Sequence, residues 1–589
     1  MKLHSQEVRK LAPENDPLKI GMGWSVADLD KPQILVESSF GDSHPGSAHL
    51  NQFVEEGVKA VNDNGGKAAR YYVTDICDGI AQGHDGINYS LAHRDMMTNM
   101  IEVHGMASGF DGGMFIASCD KSVPAILMGI GRLKDMSAIV VTGGVMEAHT
   151  ITPKYVENDP ACAINELLTL EQIGAYSAMC QRGEISEAQL TYYKHHACPS
   201  CGACSFMGTA GTMQVMCEAL GLTLPGSALL PATSADLVEV ARKAGAQAVE
   251  LAKRGLTARD IVTRESFENA IIVHAAISGS TNAILHLPAI AHEFGIEIDA
   301  DTFERIHKSA HYLLDVRPAG RWPSEYVYYA GGVPAIMEEV RHLLHLDVMT
   351  VTGKTLGENL DGLKAGGYYE KCAEYLKKTG VKKEDIIRPF DAPIGDKGTI
   401  AILRGNLAPE GAVVKHSAVP VEMHKALLRA RPFDCEEDAI AAVIAHDIKP
   451  GDAVFIRYEG PKGSGMPEMF YTTEAISSDP ELGKTIALIT DGRFSGASKG
   501  PAIGHVSPEA AEGGPIALVE EGDLIQIDIP ARVLAIVGVR GERKTPEEMD
   551  GILKERRAAW QPRPLRYQSG VLKIYSEHAV GPMKGGYMK

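Results

Sequence analysis

The hydrophobic positions in the first part of the chain alternate between a helical and a strand-like period. The segment "NQFVEEGVKAVNDNGG" has apolar residues at helical spacing and ends in a Gly pair, and the strand-like run "ARYYVTDI" follows it. The pattern recurs where "MMTNMIEVHGMASG" precedes "GMFIAS" and where "AILMGIGRLKDM" precedes "SAIVVTGG". Strands and helices at this spacing predict an α/β fold with a doubly wound parallel sheet in an α/β/α arrangement. Between about residues 160 and 380 the pattern is mostly helical.

The character of the chain changes near "RPFDAPIGDKG", Arg388 to Gly398. Beyond it, short β-branched runs such as "TIAIL", "GAVVKHSAV", "DAVFIRY", "TIALIT", "DLIQIDI" and "RVLAIVGV" are separated by Gly, Pro and Asp. This pattern is typical of a β-rich, barrel-like domain. We therefore predict two domains, an α/β domain over residues 1–390 and a β-barrel-like domain over residues 391–589.

Composition narrows the class of protein. A chain of 589 residues is too long for one core, and its 44% hydrophobic and 23% charged residues are ordinary for a soluble protein. The net charge of −18 argues against non-specific binding of nucleic acid, which needs clustered Lys and Arg. We see no signal-peptide core and no apolar stretch near the length of a membrane span, so we expect no membrane partner. Ten cysteines then indicate reduced thiols or metal ligands and a cytoplasmic location.

Two short stretches, "TDICDGIAQG" and "IASCDKSVPA", each place a Cys–Asp pair directly after an apolar run. The pairs are Cys77–Asp78 and Cys119–Asp120. In an open parallel sheet, ligands gather beyond the carboxyl ends of the strands. A thiolate suits iron–sulfur chemistry, whereas a carboxylate suits Mg²⁺. The two pairs therefore predict an iron–sulfur cluster beside Mg²⁺, a combination that points to a lyase.

A third candidate thiol, Cys204, lies in the Gly-rich segment "CPSCGACSFMGTAGTM". Together, Cys77, Cys119 and Cys204 would hold a cluster and leave one iron open for substrate. The same run, Cys198 to Cys204 with two histidines before it, is also compatible with half of a ferredoxin-type site or with a zinc knuckle, although neither set of ligands is complete. The remaining cysteines are interpreted as small buried apolar residues: Cys162, Cys180, Cys217, Cys372 and Cys435.

Other candidate residues follow predicted strands. Lys121, next to Asp120, could neutralise substrate charge, act as a modified ligand, or be a solvated surface lysine. In the second domain, Glu459 follows "DAVFIRY", and "TDGRFSG" places Arg493 and Ser495 in a turn that could equally be structural. A serine there could remove an acidic carbon-bound proton if a cation lowered its pKa.

With these segments assembled, the chain resembles the dihydroxy-acid and phosphogluconate dehydratase family nearly end to end. The resemblance rests on "CDGIAQGHDGINYSLAHRD", "SCDKSVPA", "CSFMGTAGTM", "SGSTNAILHLPAIAHE", "AGGVPAIMEEV", "DVMTVTGKTLGENLD", "GNLAPEGAVVK", "FDCEEDAIAAV", "YEGPKGSGMPEM" and "LITDGRFSGASKGPAIGHVSPEA". It implies elimination of water from a 2,3-dihydroxy carboxylate to give a 2-keto acid. In such enzymes an Fe–S cluster acts as Lewis acid on the C3 hydroxyl, Mg²⁺ holds the carboxylate end, and a serine alkoxide takes the C2 proton.

Carried onto this sequence, the resemblance implies that Ser495 is the catalytic base. It implies Asp78, Asp120 and Glu459 as Mg²⁺ ligands. Lys121 would be a further ligand with a catalytic role, as a carbamate. Binding the carboxylate to a dication would acidify the α-proton and stabilise the charge that develops in the transition state.

One departure concerns the cluster. Many members carry a cysteine in a "PCNxHL"-like context, whereas this chain has "HPGSAHL", with Gly46 at the cysteine position. Cys77 resembles the phosphogluconate dehydratase arrangement instead. The predicted ligands are therefore Cys77, Cys119 and Cys204, and a [4Fe-4S] cluster is favoured over [2Fe-2S].

The N-terminal segment "GMGWSVADLDKPQILVESSFGDSHPGSAHL" most resembles the sugar-acid branch, especially xylonate dehydratases. The distal hydroxyls of an aldonate need polar partners, and the candidate substrate-binding residues are Ser43, His44, His49 and Arg493. We expect a homodimeric or homotetrameric sugar-acid dehydratase that converts a pentonate or hexonate, such as D-xylonate, to its 2-keto-3-deoxy acid. The alternatives are a dihydroxy-acid dehydratase of branched-chain amino-acid biosynthesis and, from another class, a non-catalytic iron–sulfur or zinc protein.

Overall fold

The computed structural model describes residues 3–151, 166–477, 479, 481–495 and 500–589. Within these ranges the strands fall into a group near the N-terminus, a short pair, and a group after residue 399. They are β1 (Gln33–Ser38), β2 (Lys67–Tyr72), β3 (Gly112–Ala117), β4 (Ser137–Thr142), β5 (His149–Thr150), β6 (Leu167–Leu168), β7 (Ile400–Leu403), β8 (Gly411–Lys415), β9 (Lys425–Phe433), β10 (Asp452–Ile456), β11 (Ala487–Thr490), β12 (Ala502–Ser507), β13 (Leu524–Asp528), β14 (Val533–Val539) and β15 (Glu542–Arg543).

The α-helices are concentrated before residue 390. They are α1 (His4–Leu11), α2 (Asn15–Gly21), α3 (Asn51–Asp63), α4 (Asp78–Ala81), α5 (Tyr89–Ser108), α6 (Ser122–Arg132), α7 (Ile173–Gln181), α8 (Glu187–His196), α9 (Thr209–Ala219), α10 (Ala235–Arg254), α11 (Ala258–Ile261), α12 (Arg264–Ala276), α13 (Ala283–Phe294), α14 (Ala300–Ser309), α15 (Glu325–Tyr329), α16 (Gly332–Glu339), α17 (Leu356–Ala365), α18 (Tyr368–Lys377), α19 (Lys383–Ile386), α20 (Glu436–Ile444), α21 (Phe470–Ser477), α22 (Leu482–Thr485), α23 (Pro546–Ala559) and α24 (Gly570–His578).

The N-terminal strands form a four-stranded parallel sheet in the order β2-β1-β3-β4. Every residue of β1, β3 and β4 is buried, as expected of parallel strands covered by helices on both faces. The chain order of strands and helices gives the α/β architecture that the alternating hydrophobic pattern predicts.

Helices α3 and α10 pack unusually close together against this sheet. A Cβ atom at Gly245 of α10 would lie 2.6 Å from the carbonyl oxygen of Gly57, and one at Gly57 would lie 2.5 Å from the Met114 side chain on β3. Glycine at both positions therefore lets the two helix backbones approach each other and the sheet.

The C-terminal strands form a nine-stranded mixed sheet in the order β15-β14-β13-β9-β10-β11-β12-β8-β7. Strands β9 to β12 are parallel to one another, and antiparallel strands flank them on both sides. A bridge between Arg404, beyond β7, and Val533 of β14 brings distant parts of the sheet together, so the sheet is curled. A β-rich C-terminal region is therefore confirmed, although β9 and β12 are strands that the sequence pattern did not reveal.

Both sheets direct candidate chemistry to one region of the molecule. Cys77 and Asp78 follow β2, Cys119 and Asp120 follow β3, and Arg493 follows β11. The boundary predicted at residues 390 and 391 remains a prediction, and Cys162 lies outside the described residues. Within the described ranges, we find no helix both long and apolar enough for a bilayer crossing.

The contact between α3 and α10 gives a test of the fold. Gly245→Ala should lower the thermal unfolding midpoint, because the added methyl group would force the helices apart at a cost of about 1–3 kcal/mol. Gly362→Ala is a matched control, because Gly362 lies in α17 with no atom within 4 Å of an added Cβ. Alanine is the better helix former by about 0.5–1 kcal/mol, so the control should be neutral or slightly stabilised. An unchanged midpoint in Gly245→Ala would contradict the close packing described here.

Candidate active site

Three carboxylates from separate segments of the chain lie close together. Asp78 begins α4, Asp120 follows β3, and Glu468 comes from the loop before α21. Among the described residues, these form the one group of three or more His, Cys, Asp or Glu side chains whose ligand atoms lie within 4.8 Å of one another. Carboxylate oxygens at this spacing suit a hard divalent cation.

Two buried cations lie against the three carboxylates. Lys121 Nζ is 2.8 Å from Asp78 Oδ2 and 3.8 Å from Asp120 Oδ2. Arg493, which is fully buried, donates to Glu468 and contacts Asp78 Oδ2 at 3.3 Å. When all three carboxylates are ionised, they exceed the two cations by one negative charge, which a further cation would compensate.

The pKa values of the aspartates reflect this imbalance. Burial acts to raise the pKa of Asp78, but Lys121 and Arg493 outweigh it and hold that pKa at about 2. Asp120 is the opposite case, because burial and then the charges of Asp78 and Glu468 raise its pKa to about 7, against the opposing effect of Lys121. Asp78 Oδ1 is buried and accepts no hydrogen bond from the described residues. The group thus contains a buried oxygen without a hydrogen-bond donor, Asp78 Oδ1, and a carboxylate, Asp120, whose negative charge the two cations do not fully compensate. Both features are expected of a cation site.

The three predicted thiols lie beside the acidic group. Burial raises the pKa of Cys119 well above its usual value, and Asp120, Asp75, Cys77 and Cys204 add to the effect through their charges. Burial also raises the pKa values of Cys77, to about 11, and of Cys204. The sulfurs are therefore mutual neighbours, although they do not form a group as tight as the three carboxylates. Cysteine thiolates are the usual protein ligands of iron–sulfur clusters.

Gly46 faces the Cys119 thiol. A Cβ atom at Gly46 would lie 3.0 Å from Cys119 Sγ and 3.0 Å from His44 Nδ1. The His44 ring is held at its other nitrogen, because Nε2 contacts Asp75 Oδ1 at 2.8 Å and Ser47 Oγ at 2.9 Å. Its Nδ1 is buried and has no partner among the described residues. A side chain at position 46 would therefore crowd Cys119 and His44, and glycine avoids this contact.

Ser495 lines a cavity whose walls come from the segment before α13 and from strands β8 and β12 of the C-terminal sheet. The polar members are Ser280, Thr281, Lys415, Ser495 and His505, and the apolar members include Val413, Ala418, Phe494 and Ala502. His505 has both ring nitrogens buried and without a partner among the described residues, and burial followed by the charge of Arg493 lowers its pKa to about 3. It also has a left-handed backbone with φ of 55°, which is uncommon for histidine and marks a constrained position.

A chain of hydrogen bonds joins this cavity to the acidic group. Ser280 Oγ lies 3.1 Å from Thr209 Oγ1, which accepts from Asn282 Nδ2 at 2.7 Å. Asn282 Nδ2 also donates to Glu468 Oε1 at 2.8 Å. The cavity and the cation site are therefore parts of one polar network.

The contacts of Glu459 and Arg493 differ from those expected of the roles predicted for them, a Mg²⁺ ligand and a substrate-binding residue. Glu459 accepts from Ser464 and lies 3.4 Å from Arg566 Nη1, and it is not one of the three clustered carboxylates. Arg493 donates to Met466 O at 2.8 Å and to Ser90 Oγ at 2.9 Å in addition to its carboxylate contacts. Its donors are directed to protein atoms, so it orients carboxylates instead of reaching into the cavity.

Three predicted substrate contacts come from the segment before α3, and one of them, His44, lies beside Gly46 and the Cys119 thiol. Ser43 is exposed, His44 pairs with Asp75, and His49 Nε2 lies 2.7 Å from Gly143 O. None of the three is among the described residues that line the Ser495 cavity. Lys415, His505 and Glu468 are the residues that sequence reasoning missed, although each lies inside one of the segments that carry the family resemblance.

Comparison with known proteins identifies the class and then the family. Family models described as the N-terminal and C-terminal parts of dihydroxy-acid/6-phosphogluconate dehydratase match residues 31–359 and 385–586. A protein named dihydroxy-acid dehydratase 1 from Methanosarcina acetivorans is 43% identical over 97% of both chains. Proteins named dihydroxy-acid dehydratase from Methanosarcina barkeri and Pyrococcus abyssi are each 42% identical, over 98% and 96% of this chain and 99% and 96% of their own.

The fold, the buried acidic group and these matches define an enzyme of the dehydratase, or hydro-lyase, class. The chain belongs to the dihydroxy-acid/6-phosphogluconate dehydratase family. The relatives' names do not place it in the sugar-acid branch expected from the N-terminal segment.

Glu468 and Glu459 are the two candidates for the third carboxylate ligand of Mg²⁺, so substituting each of them tests the cation site. Glu468→Gln should weaken Mg²⁺ binding by about tenfold or more, because ligand-set changes at metal sites typically act on this scale. Glu459→Gln is the matched control and should leave Mg²⁺ affinity unchanged. Isothermal titration with Mg²⁺ would measure both, with thermal unfolding to confirm that each variant is folded. If only Glu459→Gln loses Mg²⁺ affinity, the assignment of Glu468 is wrong.

Proposed function

We propose that this enzyme removes water from 2,3-dihydroxy carboxylates to give 2-keto acids, and that branched-chain dihydroxy acids are its substrates. The proposed substrate class is supported by sequence identity: relatives named dihydroxy-acid dehydratase are 43% and 42% identical over 97% and 98% of this chain. The arrangement of thiols, carboxylates and Ser495 around one polar network supports the reaction type.

The chain's own residues fit the two groups that the family resemblance implies. Cys77, Cys119 and Cys204 would hold the iron–sulfur cluster, because the three thiols are close enough for their charges to act on one another. Asp78, Asp120 and Glu468 would hold Mg²⁺, with Lys121 as a further ligand if it carries a carbamate. When bound, these groups supply Lewis acidity at the C3 hydroxyl and at the substrate carboxylate.

The protein contributes proton transfer, orientation and exclusion of water. Ser495 faces the cavity from the turn after β11, where it can accept the proton from C2. Arg493 holds Asp78 and Glu468 in place, since it contacts both from a fully buried position. Val413, Phe494 and Ala502 give the cavity apolar wall, which suits the methyl groups of a branched-chain substrate.

A sugar-acid dehydratase remains the second candidate, for one specific reason. Ser280, Thr281 and His505 give the cavity polar groups that could bind distal hydroxyls. The predicted homo-oligomeric state and cytoplasmic location also remain predictions.

A substrate panel separates the two candidates. Anaerobically purified, Mg²⁺-supplied enzyme should form 2-keto acid from 2,3-dihydroxyisovalerate faster than from D-xylonate, L-arabinonate, D-gluconate, D-galactonate or 6-phosphogluconate. Trapping the product with semicarbazide and measuring absorbance would quantify each rate. Turnover confined to the unphosphorylated sugar acids would contradict the branched-chain proposal and favour the second candidate.

The role of Ser495 is tested with the same assay. Ser495→Ala should abolish dehydration while the visible absorbance of the cluster stays intact, because only the proton acceptor is removed. Near-full turnover in this variant would show that another group takes the C2 proton.

The predicted cluster ligands are tested by measuring iron content and visible absorbance. Cys77→Ser should lose iron and visible absorbance, because a hydroxyl is a poor replacement for a thiolate on iron. Cys372→Ser is the matched control, since Cys372 is fully buried in the apolar core. Equal iron content in both variants would exclude Cys77 as a ligand.

A further inference from the structure

Lys415 is a cation in the Ser495 cavity without a carboxylate partner. It ends β8, and its Nζ donates to the carbonyl oxygen of Ser278 at 2.8 Å. Among the described residues, no Asp or Glu forms an ion pair with it. Lys121 differs in this respect, because it lies 2.8 Å from Asp78. The protein therefore stabilises the charge of Lys121 with a carboxylate but not that of Lys415.

The surroundings of Lys415 favour its neutral form. Burial lowers its pKa to about 8, which places the amine near the point of deprotonation at ordinary pH. Three histidines surround Lys415: the charge of Lys415 acts on His274 from α12, His416 is next in the chain, and His505 from β12 lines the same cavity. Burial lowers the pKa of each, to about 4 for His274 and about 3 for His505. A histidine side chain is either neutral or positively charged, so none of these neighbours supplies the negative charge that would stabilise an ammonium ion.

The loop that contacts Lys415 is tightly constrained. Ser278 has a left-handed backbone, with φ of 51°, and its Oγ donates to Thr399 Oγ1 at 3.1 Å. A Cβ atom at Gly279 would lie 2.4 Å from the His274 ring, so only glycine fits there. His274 Nε2 lies 3.0 Å from Ser280 O, which fixes the far side of the loop. The carbonyl of Ser278 is thus held rigidly, and with it the amine of Lys415 in the cavity wall.

We propose that Lys415 is the group that activates Ser495, as the amine partner of a serine–lysine pair. This proposal rests on the proposed role of Ser495 as base. The Oγ–H bond of Ser495 breaks, and its proton passes to the lone pair of Lys415 Nζ, which becomes an ammonium. The resulting alkoxide takes the proton from C2, the C2–H bonding pair forms the new C–C double bond, and the C3 hydroxyl leaves with its bonding pair. The ammonium beside the cavity then releases its proton to solvent as the enol converts to the ketone.

Lys415 acts through Ser495, so it is a positioning and activating residue. Its test must distinguish activation of Ser495 from a purely structural role of the Lys415 side chain. The first readout is the reaction of Ser495 with a fluorophosphonate, scored by mass spectrometry of the labelled peptide. In wild-type enzyme the labelling rate should rise with pH through about 8, since only the neutral amine accepts a proton. Lys415→Arg keeps the positive charge but has no neutral form at these pH values, so its Ser495 should stay unlabelled.

Rescue by added amine distinguishes lost chemistry from lost packing. Lys415→Ala should label Ser495, and form keto acid, about 100-fold or more slowly. Methylamine should restore part of both rates, because it can occupy the vacated space and accept the proton. Lys425→Ala is the control, because Lys425 is exposed at the start of β9, and neither the substitution nor methylamine should change its rates.

The results of these experiments test the serine–lysine pair and the proposed function separately. Wild-type labelling of Ser495 that does not depend on Lys415, or a wild-type Ser495 that does not react, overturns the serine–lysine pair. Lys415-dependent labelling with no turnover of any dihydroxy acid supports the pair and overturns the proposed function instead. Equal labelling of Lys415→Arg and wild type would show that the positive charge, not the free amine, is what Ser495 requires, and would also overturn the proposal.

Discussion

The contact between Arg493 and the carboxylates of Asp78 and Glu468 is the interaction on which the site depends. Asp78 belongs to the N-terminal α/β region, whereas Arg493 and Glu468 belong to the C-terminal region. A buried charge is costly unless it is paired and hydrogen bonded, and removing one partner of a buried pair is strongly destabilising. The acidic group can therefore be buried only when both regions are folded and docked.

Backbone constraint is concentrated around the same site. Several non-glycine residues with left-handed backbones lie in segments that line it or adjoin it: Ser278, Tyr458, Met466 and His505. Met466 also accepts from Arg493 Nε through its carbonyl oxygen. Such conformations persist only where the surrounding structure determines them, and they are found preferentially at functional sites. Here, strained backbone places the carbonyl and side-chain groups that hold Arg493 and Lys415.

Most of the architecture was predictable from the hydrophobic pattern, because buried parallel strands and their covering helices have strong periodic signals. Strand β9, "KALLRARPF", was missed because lysine and arginine alternate with its apolar residues, although it lies at the centre of the C-terminal sheet. The acidic group was predictable where a carboxylate follows a strand-like run, as for Asp78 and Asp120, although β2 ends at Tyr72 and Asp78 begins α4. The roles of Cys77 and Cys119 as cluster ligands stay predictions. The same reasoning selected Glu459, which directly follows the "DAVFIRY" run, over Glu468, which reaches the acidic group from a loop and is held there by Arg493. Tertiary pairing of this kind has no local sequence signal.

The balance of charge also constrains the chemistry of Lys121. With an ammonium on Lys121, three carboxylates and two cations carry one net negative charge. A carbamate on Lys121, as the family resemblance implies, would replace a positive charge with a negative one and leave three net negative charges in a buried group. That state is costly without a cation, and a dication would return the group to one net negative charge. Carbamate formation and Mg²⁺ binding would therefore favour each other, so neither is expected to be complete without the other.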